Sequence, residues 1–211
     1  MPQCITVPAM YETAETKQEK RAGISAQYGE GHYTGLCTST KYNYKYGGMR
    51  VDYGNVKKYG NIIEAGSSIA GFYETSSDTN YENEGLIVQL DGRLTGKIVT
   101  PTSPVRLGLK LAPGLILFGG ISQRNGEHDV GGEYGFLSYA SLLVGAGNPE
   151  FLTVAYHYFP YYYYLKPSFN FLTITVHRRN YSITAGGFIP IYRNGDEIPK
   201  YHFTLGAGIH Y

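Results

Sequence analysis

Tryptophan is absent, and charged residues make up only 17% of the chain. No apolar run approaches the roughly 18 residues that a helix needs to cross a membrane, which excludes a helical span. A formal net charge of +1 leaves no basic field for nucleic acid. Two cysteines, Cys4 and Cys37, are too few for a disulfide scaffold, and neither sits in a cysteine metal motif. The chain is instead rich in glycine (28) and tyrosine (22) among its 211 residues. That usage favours strands, turns and interfacial aromatics over helices.

The patterning is of period two, which places alternate side chains on opposite faces of a strand. At the C-terminus, Tyr201, Phe203, Leu205, Ala207, Ile209 and Tyr211 alternate with His202, Thr204, Gly206, Gly208 and His210. Near the start, Ala22, Ile24, Ala26 and Tyr28 alternate with Arg21, Gly23, Ser25 and Gln27. The clearest interior hairpin spans 85–111. There Leu86, Val88, Leu90, Leu94 and Ile98 oppose Gln89, Asp91, Arg93, Thr95 and Lys97, and Val105, Leu107, Leu109 and Leu111 oppose Arg106, Gly108 and Lys110. Further strands are expected at about 41–54, 61–73, 134–145, 151–159, 168–177 and 181–191, ten in all. In the second, Tyr42, Tyr44 and Tyr46 share a face, the phase changes to Met49, Val51 and Tyr53, and Gly47-Gly48 reads as a bulge. Pro113 lacks a ladder donor and implies a bulge or an edge in the fifth strand.

Long connections at 30–40, 74–84, 120–133, 160–167 and 193–200 alternate with short ones at 55–60, 99–104, 147–150 and 178–180. Residues 1–19 form a polar N-terminal extension and 20–211 a single barrel. The second face decides where the barrel lives. A water-exposed face should be rich in Lys and Glu, whereas strands one, nine and ten offer Gly23, Ser25, Ser182, Thr184, Gly186, Thr204, Gly206 and Gly208. Small side chains suit a crowded lumen. Asp91, Arg93, Lys97, Arg106 and Lys110 are costly against lipid but can pair with one another inside. Tyr156, Tyr158, Phe159 and the run Tyr161–Tyr164 suggest an interfacial girdle.

From strand one to its end the chain resembles a bacterial outer-membrane β-barrel protein, and the alternating last strand with its aromatic terminus carries the resemblance most specifically. The soluble rival, a lipocalin-like barrel, lacks its glycine-x-tryptophan signature here. The resemblance implies an all-β, closed, antiparallel up-and-down transmembrane barrel of about ten strands, with eight or twelve as alternatives. It implies a Gram-negative outer membrane with both termini periplasmic. It also implies outer-membrane lipid as surroundings, the barrel-assembly machinery as a partner during insertion, and other envelope proteins as partners. The insertion strand is then Tyr201, Phe203, Leu205, Ile209 and Tyr211. Cys4 is open to three readings: a lipid attachment as in a lipoprotein, a disulfide with Cys37, or a free thiol. Met-Pro-Gln-Cys has no charged and apolar regions of an export signal, so the chain as written is expected to be mature or to lack that signal.

The chemistry-bearing candidates are polar groups of the lumen: Asp91, Arg93, Lys97, Arg106 and Lys110, with His157, His177, His202 and His210 on the less apolar face. His157 and His202 are expected near one end and His177 and His210 near the other, which does not make one metal site. For catalysis a nucleophile or carboxylate beside a histidine is needed, in pairings such as Ser182 with His177 or Asp91 with His157. Glu127-His128-Asp129, in the expected longest loop, is a candidate cation binder against the blander reading of a solvated loop. The glycine doublets precede no helix and form no phosphate loop. The expectation is a non-enzymatic barrel without cofactor or metal, its lumen largely filled, serving as a structural or accessory subunit of an envelope assembly or as a surface-binding protein. The alternative is a narrow channel for ions or small solutes; third comes a barrel enzyme acting on lipid or peptide.

Overall fold

The computed structural model describes residues 13–14, 19–34, 40–56, 62–76, 80–100, 104–162, 169–189 and 199–211. Cys4, Cys37 and Tyr163–Tyr164 lie outside them. Period-two patterning becomes ten strands: β1 (Glu19–Thr34), β2 (Lys41–Val56), β3 (Ile62–Ser76), β4 (Glu82–Val99), β5 (Val105–Arg124), β6 (Glu127–Gly147), β7 (Glu150–Tyr162), β8 (Phe169–Arg178), β9 (Tyr181–Ile189) and β10 (Pro199–His210). Each strand pairs antiparallel with its chain neighbours, and β1 pairs with β10, closing the barrel. Closure leaves no sheet edge around the ring, the usual hazard of an open sheet.

The barrel has its apolar face outside. Leu94, Ile98, Leu115, Leu205 and Phe203 are exposed, whereas Arg50, Lys110, Gln89, His157 and His202 are among the most deeply buried side chains. This reverses the arrangement of a water-soluble barrel and matches a wall that faces hydrocarbon. The terminal strand presents Phe203, Leu205, Ile209 and Tyr211 outward, with His202 and Thr204 inward. Its ladder with β1 runs from Arg21↔His210 to Glu30↔Tyr201.

Four local expectations are corrected. Gly47-Gly48 is no bulge, because β2 keeps one register with β1 and β3 through both glycines. The change of apolar phase there is chemical: Tyr44 and Tyr46 point inward and are buried, while Met49, Val51 and Tyr53 point outward. Pro113 likewise shifts nothing, since β4 and β5 keep one register from Arg93↔Gly114 to Gly96↔Leu111. Its missing N–H falls within that short stretch. The expected longest loop, 120–133, is a tight hairpin turn at Asn125-Gly126, with φ of 47° and 89°. Asn-Gly with both residues at positive φ matches the twist of the flanking strands. Finally, Phe159 is not part of an outer girdle but sits in the interior beside Tyr139, whereas Tyr156 and Tyr158 do face outward.

Strand length is uneven around the ring. β5 and β6 have 20 and 21 residues, while β8 and β9 have 10 and 9. Ladder pairs between β6 and β7 reach only Leu137↔Tyr162, so the hairpin from Gly119 to Phe136 stands above that side of the barrel. Its end is called distal below; the end with Arg21 and His210 is called terminal.

Candidate functional site

The lumen is organised by alternation: every second residue of a strand must point into it, and here those residues are polar in the middle and aromatic toward the distal end. In the middle, Arg50 and Asp52 of β2, Glu64 of β3, Asp91 and Arg93 of β4 and Lys110 of β5 project inward with Arg21 of β1. Arg50 bridges Asp52 at 2.8 Å and Asp91 at 2.7 Å. Arg93 lies 3.2 Å from Asp91 and 3.3 Å from Asp52. Glu64 gathers Lys110 at 2.9 Å, Arg21 at 3.3 Å and Arg93 at 3.8 Å, and accepts a 3.0 Å hydrogen bond from the Tyr139 hydroxyl. Lys110 also lies over the Tyr139 ring, 5.3 Å from its centre.

Four cations therefore interlock with three carboxylates, every one of these side chains at most 10% exposed. Buried charges persist only when paired and hydrogen-bonded. Shared carboxylates tie β1 to β5 into one cross-barrel strut. Gly66 belongs to the same design: a Cβ there would meet Arg50 Nη2 at 1.9 Å and Asp52 Oδ1 at 2.8 Å.

A second polar group fills the terminal end. Glu150 takes the Ala14 backbone N–H at 2.9 Å and a hydrogen bond from the Thr153 hydroxyl, and lies 3.5 Å from Arg106. Lys97 donates to the Thr13 carbonyl at 2.8 Å. Ala14 packs against Leu143 and Ala155, completely buried. Two residues of the N-terminal extension thus lie inside the barrel. His177 Nε2 and Thr153 Oγ1 are 2.9 Å apart, His210 Nε2 and Ser182 Oγ 3.0 Å, and the two imidazole rings are 5.9 Å apart.

Further up, His157 is bound on both nitrogens, to Ser141 at 2.7 Å and to Thr173 at 2.9 Å. Above it lies a layer of rings. Tyr139, Phe159 and Phe171 form one cluster with Leu137, Ile116 and Ala112, and Tyr44, Tyr46 and Phe72 a second. His202 joins them: its Nδ1 is hydrogen-bonded to the Tyr46 hydroxyl, and its ring lies 5.0 Å from Phe188 and 5.5 Å from Phe171. At the distal rim, Glu74 accepts hydrogen bonds from Tyr81 at 3.0 Å and Asn83 at 3.2 Å.

Asp91, Arg93 and Lys110 thus meet in the central strut, Lys97 and Arg106 at the terminal end, and the histidines fall two toward each end. Arg21, Arg50, Asp52 and Glu64 of the strut, and Glu150 of the terminal group, were missed. Arg50 and Asp52 alternate with Met49, Val51 and Tyr53, and that alternation was the available signal; no local signal marks Glu150. Of the paired catalytic candidates, Ser182 and His177 are direct cross-strand neighbours on β9 and β8, but the Ser182 hydroxyl is bonded to His210 and His177 to Thr153, while Asp91 is held by Arg50 and Arg93. Glu127, His128 and Asp129 lie exposed on a strand, not in a loop, and alternate between its faces. Among the described residues, no three His, Cys, Asp or Glu side chains converge as a metal site would require.

No family model matches the chain, and no curated protein matches it. Among solved structures it is similar to the translocator domain of autotransporter NalP from Neisseria meningitidis, with a TM-score of 0.51 and 11% identity over 92% of this chain and 89% of that one. It also matches an outer membrane channel from Pseudomonas putida F1 (TM-score 0.42, 9% identity, 98% and 100% covered). A third match is the beta domain of the Bordetella autotransporter BrkA (0.39, 10%, 90% and 98%). An apolar exterior, a polar interior, ten antiparallel strands and the first of these likenesses agree: the chain has the fold of an outer-membrane β-barrel.

Proposed function

We propose that this protein is a non-enzymatic barrel of the bacterial outer membrane whose lumen is filled, acting as a structural or accessory subunit of an envelope assembly or as a surface-binding protein. The observation that carries the reading is the central strut, in which charges from β1 to β5 reach one another across the interior with side chains at most 10% exposed. Ten strands are few for a pore, since interiors fill with side chains near eight strands and open channels need about sixteen. Catalysis is disfavoured by access and by chemistry: Ser141 and His157 are buried, and the second nitrogen of His157 meets a threonine hydroxyl, not a carboxylate.

Both termini are assigned to the periplasm, which puts the protruding β5–β6 hairpin outside the cell. The alternating terminal strand, with Phe203, Leu205, Ile209 and Tyr211 outward, is the segment for the barrel-assembly machinery to read. Affinity isolation of the tagged barrel from native envelopes tests the accessory role. A stoichiometric envelope partner is expected, lost when the β5–β6 hairpin is cut back to the level of Phe136. Isolation of the barrel with no partner from gently solubilised envelopes would contradict that role.

A further inference from the structure

The outer wall carries a dent at its distal end that barrel packing does not explain. Outward-facing residues of successive strands meet there in two ladder rows. The upper row is polar, with Glu30, Lys45, Tyr73, Glu84, Gln123 and His128 facing one another in turn. The lower row, two residues nearer the middle of each strand, is Tyr28, Gly47, Gly71, Leu86, Ile121 and Val130. Two adjacent glycines leave a gap between Tyr28 and Leu86. The gap is a groove of about 630 Å³.

Neither glycine is demanded by its neighbours. A Cβ on Gly47 or Gly71 would come no closer than 3.9 Å to any atom of the protein, whereas inward-facing Gly48 and Gly85 would clash at 2.4 Å and 2.2 Å. The inward glycines make room for the barrel; the outward pair makes room for something outside it. Above the groove, sharing Tyr73, Glu84 and Gln123, lies a second cleft of about 690 Å³. Its lining changes to hydroxyl, amide and carboxylate groups: Thr75, Ser76, Asn80, Tyr81, Glu82 and Asn125. Each volume falls within the roughly 300–1,000 Å³ of small-molecule sites.

An apolar groove continuous with a polar cleft, on a wall that faces lipid below and water above, has the shape of one lipid molecule. We propose that the pair binds a single glycolipid, its acyl chain lying over Gly47 and Gly71 and an uncharged sugar headgroup in the upper cleft. Headgroup chemistry follows from the lining. Carboxylates and amide oxygens accept hydrogen bonds from sugar hydroxyls, and amide N–H groups donate back; Tyr73 and Tyr81 add aromatic rings to the lining. Among the described residues no Lys or Arg lines the upper cleft, Arg124 lying over the Tyr81 ring and Lys45 lining the groove below, so Glu82 and Glu84 are the charges that a phosphate placed in the cleft meets first. The proposal rests on the membrane reading above.

Native mass spectrometry of the full barrel, folded in detergent and supplied with hexosyl-diacylglycerol, phosphatidylethanolamine and phosphatidylglycerol of matched chains, tests it. One hexosyl-diacylglycerol is expected to remain bound under activation that strips the other two. Gly71→Leu, whose Cβ would come no closer than 3.9 Å to Gly85 and Leu86 and whose side chain extends into the groove, is expected to reduce retention about tenfold, the effect of losing one good contact. Asn80→Ala with Gln123→Ala is expected to abolish the preference among headgroups while leaving some lipid bound. Equal retention of all three lipids, stronger retention of either phospholipid, or retention unchanged in both variants would overturn the proposal. Heat-dependent gel mobility, read first on every variant, separates the two failures: a chain that never shows it sinks the membrane reading, whereas a folded barrel indifferent to headgroup sinks only the glycolipid.

Discussion

Glu64→Leu puts the central strut to the test. In the folded chain Glu64 answers Lys110 at 2.9 Å, Arg21 at 3.3 Å and Arg93 at 3.8 Å and accepts from Tyr139 at 3.0 Å. Removing it leaves four cations against two carboxylates, with Lys110 and Tyr139 each losing their bond to Glu64. Breaking a buried ion pair from one side costs about 3–5 kcal/mol, a large part of the roughly 5–15 kcal/mol by which folded chains are stable. The assay is urea unfolding of the barrel in detergent or lipid, followed by gel mobility and tryptophan-independent circular dichroism. A lower midpoint with unchanged slope is expected. Adding Lys110→Met should recover part of the loss, because it removes one of the stranded cations, with a coupling of about 0.5–3 kcal/mol. A change below about 0.5 kcal/mol for Glu64→Leu, the range of ordinary surface substitutions, would mean that water solvates these charges, and the strut account would fail.

Three further perturbations probe other parts of the design. Gly66→Ala should destabilise by about 1–3 kcal/mol, since its Cβ displaces Arg50, while Gly92→Ala, with nothing within 4 Å, should change stability little; equal effects on the unfolding midpoint would refute the packing assignment. Leu109→Arg, on the outward face of β5, should cost roughly 2–4 kcal/mol for folding into vesicles if that face meets the lipid midplane, and a neutral result would place it in water. Burial, followed by the Glu74 carboxylate, pushes Tyr81 up to about 12. Its folded value is the raised one, so its contribution is present below the ordinary tyrosine value near 10 and is lost as pH rises toward 12. The urea unfolding midpoint should fall across that window by more in the native chain than in Tyr81→Phe, and equal falls would refute the assignment.

How much of this was legible depends on contrast between the two faces. In β4 and β5 leucines and valines oppose Asp, Arg and Lys, and alternation alone assigns the faces of Leu86 to Ile98 and of Val105 to Leu111. In β2 tyrosine blurs the pattern, because its ring suits a packed lumen and its hydroxyl a polar one. Tyr44 and Tyr46 therefore turn inward where an apolar reading puts them outside, and the apparent phase change looks like a bulge. The β5–β6 hairpin was hidden by glycine and charge between 119 and 133, although Asn125-Gly126 is a strong turn signal. The partners of the strut come from five different strands, β1 to β5, and only the curled inner face of the sheet brings Glu64 of β3 to Lys110 of β5. The seat of Ala14 against Glu150 is likewise a product of the closed ring, with no trace in local spacing.

The filled lumen is tested most directly by conductance. Barrel protein whose heat-dependent mobility shows it to be folded is added to a planar bilayer, with insertion verified by protease protection of the strands. The account predicts a membrane that stays electrically silent, since the strut, the rings above it and Thr13–Ala14 below it occupy the interior. Reproducible open steps of one size from the pure, inserted protein would contradict it.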